Sequence, residues 1–157
     1  LGRLACQSKG DDMVVPCLVL AWALLVALFD WRRQRVPNVL LLPVFVVALL
    51  AVVIDGQTVL GAGRWSGFAG MIVAAAPWMV GYGLRQVGAG DVKFAATLGL
   101  LAGLPMAALG TLAAALLAGL ISLQLRRWGG RGLRFPLAPA LLLGFVLAFG
   151  IEAGFWR

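Results

Sequence analysis

The chain has 157 residues, of which 62% are hydrophobic and 12% charged, with a mean hydropathy of +1.00. A soluble domain carries about 45–50% apolar and about 25% charged residues, and disorder needs low hydrophobicity, so both classes give way to a polytopic membrane protein. The net charge of +7 lies in short breaks between apolar runs, where it orients a membrane chain, and no nucleic-acid partner is expected.

Residues 1–12 are polar and do not form a signal peptide, because no small-residue cleavage site follows the apolar run after them. Met13 stands directly before that run, which makes the first dozen residues a tail and a candidate upstream mis-start. Residues 13–157 are expected to form a single membrane-embedded domain. Six apolar segments follow, at about 14–29, 39–54, 67–84, 88–104, 106–125 and 137–155. Several fall short of the roughly 20 residues of a spanning helix, so each borrows flanking polar residues. A continuous helix from 94 to 125 would be about 48 Å long against a hydrocarbon core of about 30 Å. Gly103-Leu104-Pro105 supplies the break. The expected fold is all-α, with six transmembrane helices and five as the alternative count.

The breaks at 30–38, 85–93 and 126–136 hold nine positive residues, among them Arg32, Arg33, Arg85, Lys93 and Arg131, against four on the other side (Arg3, Lys9, Arg64, Arg157). The positive-inside bias places these loops in the cytoplasm and both termini outside. Trp65, Trp128 and Trp156 fall at the expected interfaces. Small pairs such as Gly63/Gly67 and Gly99/Gly103 suit close helix packing.

The chain has no histidine, which removes Ser-His and Cys-His nucleophile pairs, HExxH zinc sites and histidine proton relays. Cys6 and Cys17 match neither CxxC spacing nor a disulfide framework. No metal and no cofactor are expected. Among the acids, Asp11 and Asp12 lie in the tail, Asp55 begins an outer turn, and Glu152 lies near the outer end of the last span. Asp30 ends the first span in FDWRRQRVPN and, taken alone, is the polar edge of a helix beside arginines. Asp91 lies in VGAGDVKF at the start of the fourth span, with Gly88 and Gly90 before it and Lys93 two residues on. Ionisable residues inside membrane segments are costly and are functional candidates by default.

Two crossings separate Asp30 from Asp91, so both face the cytoplasmic leaflet. If their helices pack side by side, two carboxylates meet at similar depth and share a proton. The ionised acid can then activate a water while the protonated one donates to a substrate carbonyl. Such hydrolysis needs neither histidine nor a covalent intermediate.

At these residues the chain resembles the type IV prepilin peptidases, which are membrane aspartyl peptidases. Their signature is an aspartate after the first peptidase-domain helix, followed by basic residues and Ile/Val-Pro-Asn, and a second aspartate in GxGDxK. Here the matching residues are Asp30-Trp-Arg-Arg-Gln-Arg-Val-Pro37-Asn38 and Gly88-Ala-Gly90-Asp91-Val-Lys93. The resemblance covers the chain from about residue 13. It implies that Asp30 and Asp91 are the catalytic pair, that Gly88 and Gly90 shape the backbone around Asp91, and that Lys93 tunes the local field or meets the substrate. It further implies a bacterial inner-membrane enzyme in the lipid bilayer, with its active site near the cytoplasmic face. The implied substrate is a prepilin or pseudopilin, a hydrophobic helix cut from its short basic leader. Larger family members carry a methylating domain, often with paired CxxC motifs. This chain has neither those motifs nor room for that domain between its spans, and so resembles the small peptidase-only branch associated with Flp-type pili. Two other classes stay open from the residues: a small proton-coupled transporter using Asp91, and a non-catalytic subunit of a pilus or secretion machine. The transporter would want acids near the midplane and inverted-repeat symmetry, and the sequence displays neither.

Overall fold

A computed structural model describes residues 11–33, 38–127 and 138–155. The described residues form six α-helices: α1 (Asp11–Arg33), α2 (Asn38–Leu50), α3 (Arg64–Gly83), α4 (Ala89–Ala102), α5 (Leu104–Arg127) and α6 (Ala138–Phe155). A single π-helical turn, Ala51–Asp55, continues α2. Among the described residues there is no strand, only an isolated bridge between Gln57 and Gly63. α1 begins at Asp11, inside the segment that the sequence assigns to the tail. Acids at the start of a helix suit its positive end, so the helix extends three residues beyond the apolar run.

Three stretches are long and apolar enough to cross a membrane: Val14–Arg32, Asn38–Asp55 and Leu104–Gln124. Ala138–Ile151 is a shorter apolar helix. The six expected segments are thus six helices, of which three have the length and composition of a span. α4 departs most from the expectation, because its 14 residues extend only about 21 Å. α4 touches α2, α3, α5 and α6, and Phe94, Ala95 and every residue from Thr97 to Ala102 are buried. A helix enclosed by protein need not match the thickness of the lipid.

The outward surface inverts the pattern of a soluble protein. Leu18, Leu24 and Leu28 of α1, Val46 and Val47 of α2, and Leu112, Leu116 and Leu120 of α5 are all exposed. A soluble monomer rarely exposes an apolar surface this extensive, whereas hydrocarbon solvates it. The chain is a helical membrane protein. Cys17 is a free, exposed thiol on α1, and Cys6 lies outside the described residues.

Small residues bring the helices together. A Cβ on Gly70 would lie 2.6 Å from the carbonyl oxygen of Gly99, and one on Gly99 would lie 2.7 Å from the Cβ of Ala74, so α3 and α4 meet backbone to backbone. Gly144 of α6 approaches α5 in the same way, 2.7 Å from the backbone nitrogen of Ala114. Of the pairs marked in the sequence, Gly67, Gly99 and Gly103 make such approaches, whereas Gly63 faces open space. The α4–α5 break falls where the sequence predicts it, and Gly103 carries it with φ +82°, a left-handed conformation that glycine adopts without strain. Pro105 then sits in the first turn of α5, where its missing N–H costs nothing.

Candidate active site

Asp30 lies one turn before the end of α1 and is only 4% exposed. Its Oδ2 accepts the backbone N–H of Ala138, the first residue of α6, at 3.3 Å. Asp91 is the third residue of α4, and its Oδ2 accepts the N–H of Gly88, the residue preceding that helix, at 3.2 Å. Each acid therefore sits at the N-terminus of a helix, where unpaired N–H groups and the helix dipole favour negative charge. The Oδ1 of Asp91 is buried and has no hydrogen-bond partner among the described residues.

Asp30 and Asp91 are near enough for the charge of Asp30 to act on Asp91. No hydrogen bond joins them among the described residues, and each is held by its own backbone donor. Two aromatic rings help fix the approach of their helices. The indole N–H of Trp22 on α1 donates to the carbonyl of Leu40 on α2 at 3.0 Å. The same indole packs against Phe94, one turn beyond Asp91, with ring centroids 5.6 Å apart and planes inclined by 59°.

Asn38 and Lys93, 55 residues apart in the chain, are brought together: the Lys93 Nζ donates to Asn38 Oδ1 at 3.3 Å. Pro37 lies outside the described residues, as does Arg35. Gly88 has ordinary extended geometry, φ −78° and ψ 148°, so unusual backbone geometry does not explain its being glycine. A Cβ there would lie 3.2 Å from Asp91 Oδ2, so glycine leaves room for the carboxylate that folds back over it. Gly90 is the second residue of α4 and is half-buried. Asp55 is exposed at the end of the π turn, far from these residues in the chain and followed by Gly56 in a left-handed conformation.

The donor from Ala138 was not foreseen in the sequence. The available signal was Pro139, whose preference for a helix's first turn marks the start of α6 and hence of its unpaired N–H groups. Nothing in the sequence pairs that start with Asp30.

The model of the type IV leader peptidase family matches residues 17–123, more than half of the chain. This chain belongs to the type IV leader peptidase family. The match runs from α1 into α5 and includes Asp30, Asn38, Asp91 and Lys93, while Ala138 lies beyond it. No curated protein and no solved structure matches the chain. Membership makes this leader peptidase homologue a peptidase, and its apolar helices make it a membrane one.

Proposed function

We propose that this protein is an aspartyl endopeptidase of the bacterial inner membrane that removes the basic leader from prepilin or pseudopilin precursors at the cytoplasmic face. The observation that carries the proposal is the placement of Asp30 and Asp91. In a peptidase family member, two acids from different helices lie within electrostatic reach, each at a helix N-terminus and neither paired with a cation by a hydrogen bond among the described residues.

Two carboxylates in one site resist double ionisation and hold one proton between them. The ionised acid takes a proton from water as the water oxygen attacks the scissile carbonyl carbon. The protonated acid gives its proton to the carbonyl oxygen. Collapse of the tetrahedral species breaks the C–N bond: the amine leaves with a proton from one acid, and a hydroxyl of the gem-diol gives its proton to the other as the new carboxyl group forms, which restores the shared proton. Asn38 and Lys93 tie α2 to α4 beside this pair. The basic cytoplasmic loops repel a basic leader, so the grip on substrate falls to its hydrophobic helix, packed against small-residue faces of the spans. The proposed activity is leader cleavage alone, as expected of the Flp-type branch that the sequence resembles.

The test is co-expression with a Flp-type prepilin, following the shift from precursor to mature form on a gel. Wild type and Glu152→Gln should cleave, while Asp30→Asn and Asp91→Asn, which keep the side-chain shape but cannot exchange a proton, should not. Cleavage by either asparagine variant at normal membrane levels would refute the two-aspartate mechanism. Failure of the wild type would refute the substrate.

A further inference from the structure

On α3, the helix that packs against the one bearing Asp91, lies a buried polar group to which the mechanism gives no task. Trp78 of α3 is 6% exposed, and its indole nitrogen is buried without a hydrogen-bond partner among the described residues. Among the buried residues of α3 it is the one with a polar side chain, the others being Gly67, Gly70, Ala74 and Ala75. Asp91 Oδ1 is in the complementary position, a buried acceptor lacking a donor. An orphaned buried donor and an orphaned buried acceptor are each costly, and one bond between them would remove both costs.

The packing of α3 on α4 places the two side chains at one level. The helices form a hairpin joined by residues 84–88 and therefore run antiparallel. Their seam is fixed at both ends. Toward the far end Gly70 abuts Gly99, and next to the turn a Cβ on Gly81 would lie 2.6 Å from Val87 Cγ2. Eight residues along α3 from Gly70 lead to Trp78, and eight residues back along α4 from Gly99 lead to Asp91. Each step covers about 12 Å of helix, so in an antiparallel pair the two arrive together. They also share the facing stripes. Gly70, Ala74 and Trp78 follow at four-residue intervals on α3, and Asp91, Ala95 and Gly99 do so on α4. Ala74 already meets Gly99 in this seam, and Trp78 belongs to the same buried cluster as Phe94 and Ala95.

We propose that Trp78 is a positioning residue for Asp91: both atoms are unpaired among the described residues, and a side-chain rotation lets the indole N–H donate to Oδ1 while the Gly88 N–H holds Oδ2. With both oxygens held, the carboxyl plane is fixed relative to Asp30, and Asp91 meets water in one orientation. The catalytic part of this inference rests on the peptidase reading above. The hydrogen bond itself does not.

The test therefore has one arm that needs no substrate. In protein labelled with ¹⁵N at its tryptophan indoles and placed in nanodiscs, the Trp78 indole resonance is assigned by its loss in Trp78→Phe. It should shift upfield in Asp91→Ala, which removes the acceptor, and stay near its wild-type position in Asp91→Asn, which keeps an oxygen there. The Trp22 resonance, bound to Leu40, should hold still in both. A Trp78 resonance indifferent to Asp91→Ala overturns the proposal, whether or not any prepilin is cleaved.

The second arm replaces Trp78 with benzothienylalanine, which keeps the ring shape but has sulfur in place of the N–H. Loss of a hydrogen bond to a charged group should lower kcat roughly tenfold or more, with KM unchanged. 7-Azatryptophan, which retains the N–H, should restore kcat. Wild-type kcat in the benzothienylalanine variant overturns the proposal. Absence of cleavage by the wild type strikes the substrate reading instead, and leaves the indole measurement to decide on Trp78.

Discussion

The α3–α4 seam should tolerate no methyl group at Gly70, and the penalty can be worked from its geometry. A Cβ there would sit 2.6 Å from the carbonyl oxygen of Gly99, 2.7 Å from the carbonyl carbon of Gly103 and 2.9 Å from its oxygen. All three are backbone atoms, so no rotamer change can relieve the clash. To bring 2.6 Å up to an ordinary contact of 3.4 Å, the helices must part by about 0.8 Å. Overpacking of this kind costs about 1–3 kcal/mol. Replacing a mid-helix glycine with alanine returns about 0.5–1 kcal/mol through backbone entropy. The net loss is about 1–2 kcal/mol, or a fall of roughly 2–8 °C in Tm. In lipid the loss is not recovered by other burial, because close contact rather than water exclusion holds such helices together. The assay is thermal unfolding in detergent, with Gly119→Ala of α5 as comparison, since a Cβ at Gly119 meets nothing within 4 Å. That substitution should leave Tm unchanged or raise it. Equal Tm values for the two variants would refute the close-approach account of the seam.

Three further outcomes are expected. Cleavage should follow a bell-shaped pH profile, because the dyad fails when both acids are protonated and again when both are ionised; a flat profile from acidic to neutral pH would exclude a shared proton. Trp22→Phe should destabilise the protein by about 1–2 kcal/mol, since it strands the Leu40 carbonyl and shrinks the contact with Phe94, and chemical unfolding in detergent would measure it. A double-mutant cycle of Asn38→Ala and Lys93→Met should give a coupling in stability of about 0.2–1 kcal/mol, because both residues are exposed; strict additivity would show that their hydrogen bond contributes nothing.

What the sequence could disclose was governed by how local each feature is. The helices were legible because apolar runs are long, and their breaks carry the residues that end helices, Gly103 above all. Asp91 was legible because a carboxylate at the edge of an apolar run has few harmless explanations. Asp30 was legible only in company with Asp91, since an acid at a helix end beside arginines is ordinary. The brevity of α4 was hidden, because an apolar run reports hydrophobicity and not whether lipid or protein surrounds it. The room that Gly88 leaves for Asp91 was hidden for a similar reason, since the sequence shows the missing Cβ but not the carboxylate that lies over it. The links from Asp30 to Ala138, Lys93 to Asn38 and Trp22 to Phe94 depend on helices far apart in the chain, which no spacing rule connects.

The contact between Asp30 and Ala138 has a consequence for how the protein is made. The acid and its backbone donor are 108 residues apart in a chain of 157. At about 5–20 residues per second, Asp30 leaves the ribosome several seconds before its partner exists. Until α6 is inserted against α1, that carboxylate lacks the donor that holds it in the finished protein. A nascent chain thus carries Asp30 without its backbone donor, and the centre proposed above is complete only when α6 joins the bundle.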